Sequence, residues 1–417
     1  MRRTSPVLAW VLAMSVLAAS CGGGNSSGGP FNFAPGIGSG NNGGTGIGAN
    51  TVALVVDGGP AASGGTVNSL FTTVRICAPG STSECQTIDH VQVDTASTGF
   101  RVIASTLGYG VTTAQLPRAN DGNGDPVDEC VQYADGYSWG SVRTADLIIG
   151  SKTAAAIPIQ VIGDVQASPV PASCITGPPQ NTVQALGANA ILGIGNFLTD
   201  CGIACETSAI PGTYYGCPAS AICQAIAVPL TQQLQNPVSL FATDNNGVIV
   251  SLPSVASPSK TVSGTLIFGI GTQADNAAGN KQIYTLDPNH ATLSTLYKGT
   301  RFGSSFLDAG SSGYFFTDPT IPICADQAAF YCPASPLMQI ATLQGTNGVM
   351  ADIPFTVDNA DADFATNAAA LPNLAGPTSS TATDSFDWGL PFFYGRSVYI
   401  AFEAGSPAGV PGPWVGF

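Results

Sequence analysis

Residues 93–100 read Val-Asp-Thr-Ala-Ser-Thr-Gly-Phe, and residues 307–314 read Leu-Asp-Ala-Gly-Ser-Ser-Gly-Tyr. Each segment places an aspartate, Asp94 or Asp308, after an apolar strand-like run and before small residues that allow a tight turn. A loop that occurs twice in one chain suggests two lobes that meet at one site. Two carboxylates that face each other at short distance cannot both ionise at low cost, so they share a proton and can hold one water molecule.

Further motifs follow in the order found in pepsin-like aspartic peptidases, which the chain resembles over residues 51–417. They are similar to that family's hairpin before the first aspartate, its flap hairpin, the turn that closes the first lobe, a strand near the lobe junction and the last buried run. These segments are residues 72–94, 131–150, 190–195, 263–269 and 390–403. The resemblance implies two β-rich lobes, residues 51–242 and 243–417, with an active-site cleft between them.

The resemblance also implies roles for individual side chains. Asp94 and Asp308 would be the catalytic pair, and Tyr133 would be the flap residue that closes over a substrate. Residues beside the aspartates would orient the carboxylates or hydrogen-bond to the opposite lobe. These supporting residues are Thr95, Ser97, Gly310 and Ser311.

Each aspartate loop departs from the family's pattern at one position. The first loop has Ala96 where the family has glycine, and the second has Ala309 where the family has a hydroxyl residue. A missing hydroxyl leaves a buried partner unpaired at a cost of roughly 1–3 kcal/mol, and alanine for glycine costs about 1 kcal/mol where the backbone needs positive φ. Neither change removes a carboxylate, so two functions stay open: an aspartic endopeptidase, or a catalytically inactive relative that binds a polypeptide or a partner protein.

Composition independently favours strands over helices. Charged residues make up only 9% of the chain, which also has 51 glycines and 30 prolines. Together with many Val, Ile, Thr and Phe runs, this pattern is typical of strands joined by turns, so we expect an all-β fold with minor helix. The best helix candidate is residues 228–234, with a proline near its start and Asn236-Pro237 as its predicted end.

The amino terminus has the features of an export signal. Arg2 and Arg3 precede an apolar run, residues 7–19, that is too short to span a membrane. Residues 17–21 resemble a bacterial lipoprotein cleavage box, although the leucine lies one position further from Cys21 than usual, which leaves ordinary secretion as the alternative. We therefore expect a signal peptide at residues 1–20.

After the signal, residues 21–50 would form a lipidated cysteine and a flexible Gly/Asn/Ser tether. No acidic residue follows Cys21 within this segment, so resemblance to sorted lipoproteins favours the outer over the inner membrane. The chain also resembles an uncharacterised family of proteobacterial lipoproteins with paired aspartate loops.

The cysteines fit an oxidising compartment. The chain has 11 cysteines, so lipidation of Cys21 leaves an even number that can form disulfides. Close spacing around turns predicts two bonds, Cys77–Cys85 and Cys324–Cys332, and elimination leaves Cys130–Cys174. Four further cysteines could pair in three ways, and a zinc site there is disfavoured because no Cys-x-x-Cys motif or nearby histidine is present. These four are Cys201, Cys205, Cys217 and Cys223.

Charge and histidine content restrict the other possibilities. The net charge is −14 with only 12 Lys and Arg, which argues against nucleic acid or anionic lipid as a partner. A Ser-His-Asp hydrolase needs a histidine base, but His90 and His290 are the only histidines and His90 fits a structural role better. We expect no cofactor or metal, a monomer, a polypeptide partner and membrane contact only through the lipid.

Overall fold

The computed structural model describes residues 48–164, 169–219, 222–378 and 383–417. The predicted signal peptide, Cys21 and the tether up to residue 47 lie outside the described residues. Within these ranges, no helix is both long and apolar enough to cross a membrane.

Strands dominate the described chain, which contains 22 strands, three α-helices of four or five residues and six 3-10 turns. The predicted all-β class with minor helix is therefore confirmed. The strands of the first half are β1 Thr51–Val56, β2 Leu70–Cys77, β3 Cys85–Asp94, β4 Thr98–Ile103, β5 Val127–Tyr133, β6 Gly136–Ile149, β7 Lys152–Ile162, β8 Ala190–Ile194, β9 Tyr214–Gly216 and β10 Gln224–Ala225.

The second half contains the remaining elements. Its strands are β11 Gly247–Ser251, β12 Val262–Phe268, β13 Ile283–Thr285, β14 Leu293–Tyr297, β15 Thr300–Leu307, β16 Tyr314–Phe315, β17 Leu337–Gln344, β18 Met350–Val357, β19 Ala375–Gly376, β20 Asp387–Trp388, β21 Ser397–Ala401 and β22 Trp414–Gly416. The α-helices are α1 Val183–Leu186, α2 Ile203–Thr207 and α3 Ala360–Phe364. The 3-10 turns are Ala61–Ser63, Ala104–Thr106, Thr113–Gln115, Pro237–Leu240, Leu390–Phe393 and Pro407–Gly409.

The described strands form two sheets. One has the order β10-β9-β5-β6-β7-β4-β8-β3-β2-β1-β12-β11-β21-β22-β13, and the other has the order β18-β17-β14-β15-β20-β16-β19. We call β2 to β10 the first lobe and β14 to β20 the second lobe. The two halves of the chain are joined where β1 pairs with β12, with Thr51 opposite Ile267.

Both aspartates sit at the end of a strand that has a parallel neighbour. Asp94 is the last residue of β3 and lies opposite Gly193 of the parallel strand β8. Asp308 follows β15, which pairs in parallel with β20 at Leu307 and Trp388. The repeated arrangement delivers both loops to one place between the lobes.

Aromatic packing fixes the short strand β20 inside the second lobe. Phe386 stacks on Phe316 at 4.6 Å and on Trp388 at 4.4 Å between ring centroids. The indole nitrogen of Trp388 donates a hydrogen bond to Thr295 Oγ1 at 2.9 Å. Because both neighbours of Asp387 are buried in this way, the position of that aspartate is closely determined.

The described residues contain five disulfide bonds. Three have the pairing expected from the sequence: Cys77–Cys85, Cys130–Cys174 and Cys324–Cys332. The structure also resolves the group whose pairing the sequence left open, as Cys201–Cys205 and Cys217–Cys223.

The helix predicted at residues 228–234 is wrong. The segment forms a single turn, with the Gln233 backbone N–H donating to Pro229 O at 3.2 Å. The buried Gln233 amide then donates to Val228 O and Gly202 O, each at 2.9 Å, and so competes with helix formation. Asn236, expected to end a helix, instead accepts from Val238 N and begins the turn Pro237–Leu240.

Candidate active site

Three hydrogen bonds join the first aspartate loop and its strand to the second. The Thr95 hydroxyl donates to Leu307 O at 3.0 Å and accepts from Ala309 N at 2.9 Å. The Gln92 side-chain amide donates to Gly310 O at 2.9 Å. All of these groups are buried, so the bonds hold the two loops in a fixed relation.

The two carboxylates lie side by side against one glycine. A methyl group on Gly310 would lie 2.9 Å from Asp94 Oδ1 and 3.0 Å from Asp308 Oδ1. Asp94 is 1% exposed and Asp308 is 0% exposed. The absence of a side chain at Gly310 therefore leaves the space in which the carboxylates approach each other.

Three donors surround Asp94. Its Oδ1 accepts from Ala96 N at 2.8 Å and from Ser97 N at 3.2 Å, while its Oδ2 accepts from the Ser97 hydroxyl. Ala96 has no left-handed backbone, so alanine replaces the expected glycine here without strain and still supplies its N–H.

Two donors hold Asp308. Gly310 N donates to Oδ1 and the Ser311 hydroxyl donates to Oδ2, each at 2.7 Å. Burial, followed by the negative charges of Asp94 and Asp387, raises the pKa of Asp308 well above its ordinary value. The surroundings of Asp308 therefore favour its protonated form.

A third carboxyl, Asp387, belongs to the same cluster and was missed by the sequence reasoning. It is 2% exposed, and its Oδ1 has no hydrogen-bond partner among the described atoms. Burial raises the pKa of Asp387 well above the usual range, and the charge of Asp94 adds to the effect. The available signal was an acidic residue between two large aromatic residues, Phe386 and Trp388.

A cavity of about 1510 Å³ opens between the lobes beside this cluster. Thr95, Ala96 and Ser97 line it from the first loop, and Leu307 lines it from the second. The cavity exceeds the roughly 300–1,000 Å³ that suffices for a small ligand, so it can hold several residues of an extended chain. Its apolar walls include Phe197, Leu198, Ile203, Leu240, Phe306 and Phe402.

Residues 46–417 match the model of a family described as a protein of unknown function, DUF3443. The chain belongs to this family. No curated protein sequence matches it. Among the solved structures that match is the crystal structure of the aspartic proteinase from Irpex lacteus, with 15% identity, a TM-score of 0.47, and coverage of 88% of this chain and 96% of that one.

In this DUF3443 member, Tyr133 lies at the end of β5 in the β5–β6 hairpin, opposite Gly136. Its side chain is buried in a cluster with Phe71, Ile103 and Ile191, and its hydroxyl lies 3.1 Å from Ser138 Oγ. Burial raises the pKa of Tyr133 to about 12, so the phenol is neutral. The hairpin is where the resemblance placed a flap, but this side chain packs inside the first lobe rather than in the cavity wall.

Within the part of the chain that the structure describes, two groups of cysteine and aspartate side chains are close enough to hold a metal ion. One joins Asp128 to Cys217 and Cys223, and the other joins Asp361 to Cys324 and Cys332. Both cysteine pairs are disulfide-bonded, so neither provides the thiolates that a metal would need.

Proposed function

We propose that this protein is an exported aspartic endopeptidase that hydrolyses polypeptides bound between its lobes. The observation that carries the proposal is the buried pair of Asp94 and Asp308, held by matching serines beside a cavity that both lobes line. A peptide bond at that end of the cavity would lie within reach of a water molecule held by the pair.

The two carboxylates would divide the chemistry between them. Asp94, which accepts three hydrogen bonds, would take a proton from the water as it attacks the carbonyl carbon. Asp308, protonated because its pKa is raised, would give its proton to the carbonyl oxygen. When the tetrahedral intermediate collapses, the proton gained by Asp94 passes to the leaving nitrogen and a hydroxyl proton of the intermediate returns to Asp308.

One observation favours a second candidate, a non-catalytic polypeptide-binding protein. Asp94 and Asp308 are 1% and 0% exposed, and it is their neighbours rather than the carboxylates that line the cavity. Hydrolysis would need a small opening movement at the loops, whereas binding would need none. The cavity itself suits a polypeptide in either case.

We also propose that the protein is exported, carries a lipid at Cys21 and is retained at the outer membrane. The folded part would act as a monomer and would not bind nucleic acid. The five disulfide bonds support an oxidising compartment. In cell fractions, the parent should partition with membranes and Cys21→Ser should not. Equal partitioning of both would contradict the lipid anchor.

The decisive experiment incubates the disulfide-bonded protein with a mixed peptide library from about pH 3 to 7. Cleavage by the parent should be abolished in Asp94→Asn and in Asp308→Asn, because each removes one half of the proton exchange. Asp363→Asn is the matched control, since Asp363 is also buried, has a carboxylate oxygen without a partner among the described atoms and lies outside the site.

Measuring the free energy of unfolding distinguishes a variant that has lost its chemistry from one that no longer folds. Because the folded pKa of Asp308 is raised, its contribution is present at low pH and is lost as the pH rises, so Asp308→Asn should be as stable as the parent or more stable at pH 7. A parent that cleaves nothing at any pH would instead support the binding role. Cleavage that survives both aspartate substitutions would contradict the proposed mechanism.

A further inference from the structure

A buried cluster of charged side chains reaches the cavity wall at Asp200. Arg101 Nη2, on β4, donates to Glu129 Oε1 of β5 at 2.7 Å and to Asp200 Oδ2 at 3.3 Å. The Tyr214 hydroxyl also donates to the Asp200 carboxylate and lies 2.8 Å from Oδ1 and 2.9 Å from Oδ2. Asp200 lines the cavity together with Thr98, whose carbonyl oxygen accepts from Arg101 Nη1 at 2.8 Å. The cluster therefore adjoins the strand that follows the first aspartate loop.

The charges in this cluster do not balance. One guanidinium faces two carboxylates, so one negative charge is left over when all three groups are ionised. Arg101 and Glu129 are 2% and 1% exposed, and Glu129 Oε2 has no hydrogen-bond partner among the described atoms. Because an uncompensated buried charge is costly, the cluster requires one further positive charge. In the free protein a proton can supply it, which agrees with burial raising the pKa of both Glu129 and Asp200.

The rest of the cavity wall does not supply a cation. Among the described residues that line it there is no lysine or arginine, and Asp384 and Glu403 add two exposed carboxylates to Asp200. His290 also lines the cavity, but its Nδ1 lies 3.0 Å from Asp287 Oδ1, so a protonated imidazole would already be paired. Any other positive charge beside Asp200 must therefore come from the molecule that the cavity binds.

We propose that the cavity binds a lysine or arginine side chain of the polypeptide at Asp200, so that the bound chain supplies the positive charge that the cluster lacks. The inference rests on the proposed function, because it names the class of polypeptide that the same cavity would take. Asp384 and Glu403 would attract basic segments to the cavity from a longer range. A glutamate in place of the basic residue would meet only carboxylates and would be excluded.

Binding of matched peptides to the disulfide-bonded protein tests the inference. The probes are short fluorescent peptides of alanine and leucine that carry lysine, acetyl-lysine or glutamate at one central position, since acetylation removes the charge of lysine. Fluorescence anisotropy at pH 7 should show about tenfold or more tighter binding of the lysine peptide than of the other two, as expected for a charge-assisted hydrogen bond in a partly buried site. Equal affinity for the lysine and acetyl-lysine peptides would overturn the proposal.

The variant Asp200→Asn tests where the cation binds. It keeps an acceptor for the Tyr214 hydroxyl and leaves Arg101 balanced by Glu129 alone, so the preference for lysine should fall to about twofold or less. Asp326→Asn is the matched control, because Asp326 is exposed and lies outside the cavity lining, and it should keep the full preference. An unchanged preference in a folded Asp200→Asn would overturn the assignment of this site. If Asp200→Asn does not fold, the comparison of the three peptides on the parent still decides.

Measuring cleavage of the same peptides distinguishes this inference from the peptidase proposal. A parent that binds the lysine peptide selectively but cleaves none of the three would retain the cation site and reject the peptidase. A parent that binds and cleaves the lysine and acetyl-lysine peptides equally well would support the peptidase and overturn the cation site.

Discussion

Gly310 is the residue at which the site tolerates the least change. A Cβ atom there would lie 2.9 Å from Asp94 Cγ, which is closer than real Cβ contacts, and 3.0 Å from Asp308 Oδ1, which is tighter than most of them. We predict that Gly310→Ala separates the carboxylates, abolishes cleavage and destabilises the protein by about 1–3 kcal/mol through overpacking. Gly58→Ala, which would meet nothing within 4 Å, is the control. Peptide cleavage and urea unfolding would measure both effects, and a fully active Gly310→Ala would contradict the arrangement.

Thr95 provides a second test at this scale, because its hydroxyl makes two hydrogen bonds to the backbone of the second aspartate loop. Ala309 has none to offer in return, so removing Thr95 Oγ1 leaves Leu307 O and Ala309 N without this partner. Thr95→Val should therefore lower the free energy of unfolding by about 1–3 kcal/mol or more, and Thr95→Ser should keep most of it. Urea denaturation of both variants would decide, and equal losses would mean that packing rather than hydrogen bonding matters.

The local sequence predicts the two loop aspartates, Asp94 and Asp308, but not Asp387, the third carboxyl of the cluster. Asp94 and Asp308 stand in short turns whose small residues reveal their conformation from the chain itself. Asp387 reaches the site only because β20 pairs with β15 and β16, and such non-local pairing leaves no mark in the neighbouring sequence. Ala96 was a concern on sequence grounds, yet its backbone is ordinary and its N–H is in use.

At the scale of elements, the β5–β6 hairpin is tied along one side. Cys130 of β5 is bonded to Cys174, Tyr137 N donates to Pro178 O at 3.2 Å, and Gln180 N donates to Tyr137 O at 2.7 Å. A hairpin held in this way should move less than a free one. The disulfide should contribute about 2–4 kcal/mol, as is typical for such bonds.

We therefore predict that the double variant Cys130→Ser/Cys174→Ser increases amide hydrogen exchange in the β5–β6 hairpin and lowers the melting temperature. The control is Cys324→Ser/Cys332→Ser, whose bond closes a separation of 8 residues rather than 44 and lies in the other lobe. It should leave exchange in the hairpin unchanged. Equal exchange in the hairpin of both variants would show that strand pairing, not the disulfide, restrains it.

The register of the strands explains why some disulfide pairings could be predicted from the sequence. Cys77 and Cys85 lie opposite each other in the β2–β3 register, so the turn between them brings the sulfurs together. Cys201, Cys205, Cys217 and Cys223 lie around short, irregular elements, where spacing alone permits several partners. The failed helix at residues 228–234 has a similar cause, since the Gln233 amide makes contacts that only the folded chain supplies.

Across the whole molecule, a further buried side chain connects the first half of the chain to the second aspartate loop. The Asn68 amide donates to Ser312 O at 2.6 Å and to Leu371 O at 2.7 Å, while its oxygen accepts from the Tyr394 hydroxyl at 2.8 Å. Its φ of 48° is a conformation that asparagine tolerates better than most residues. Together with the Thr95 bridge, this contact joins the two halves of the chain into a single framework.

The buried acids predict how that framework responds to pH. Burial raises the pKa of Asp128 and of Asp363 to about 6, so their contribution to stability is complete below the unfolded value of about 4 and is lost as the pH rises through 6. Asp318 acts in the opposite sense. Burial opposes its charge, but hydrogen bonds from Lys298 and Thr320 lower its pKa to about 2, so its contribution is lost as the pH falls from about 4 through 2.

These opposite dependences place maximum stability in mildly acidic solution, at about pH 4. Protonation of carboxylates there also reduces the net negative charge, which is −14 at neutral pH. We predict that the melting temperature of the disulfide-bonded protein rises from pH 8 to about pH 4 and falls again below about pH 3. Asp363→Asn should flatten the part of this curve between about pH 4 and 6, because it removes a proton that only the folded state binds. A maximum at pH 7 or above, or an identical curve for Asp363→Asn, would mean that the pKa values of these carboxyls are not raised in the folded protein.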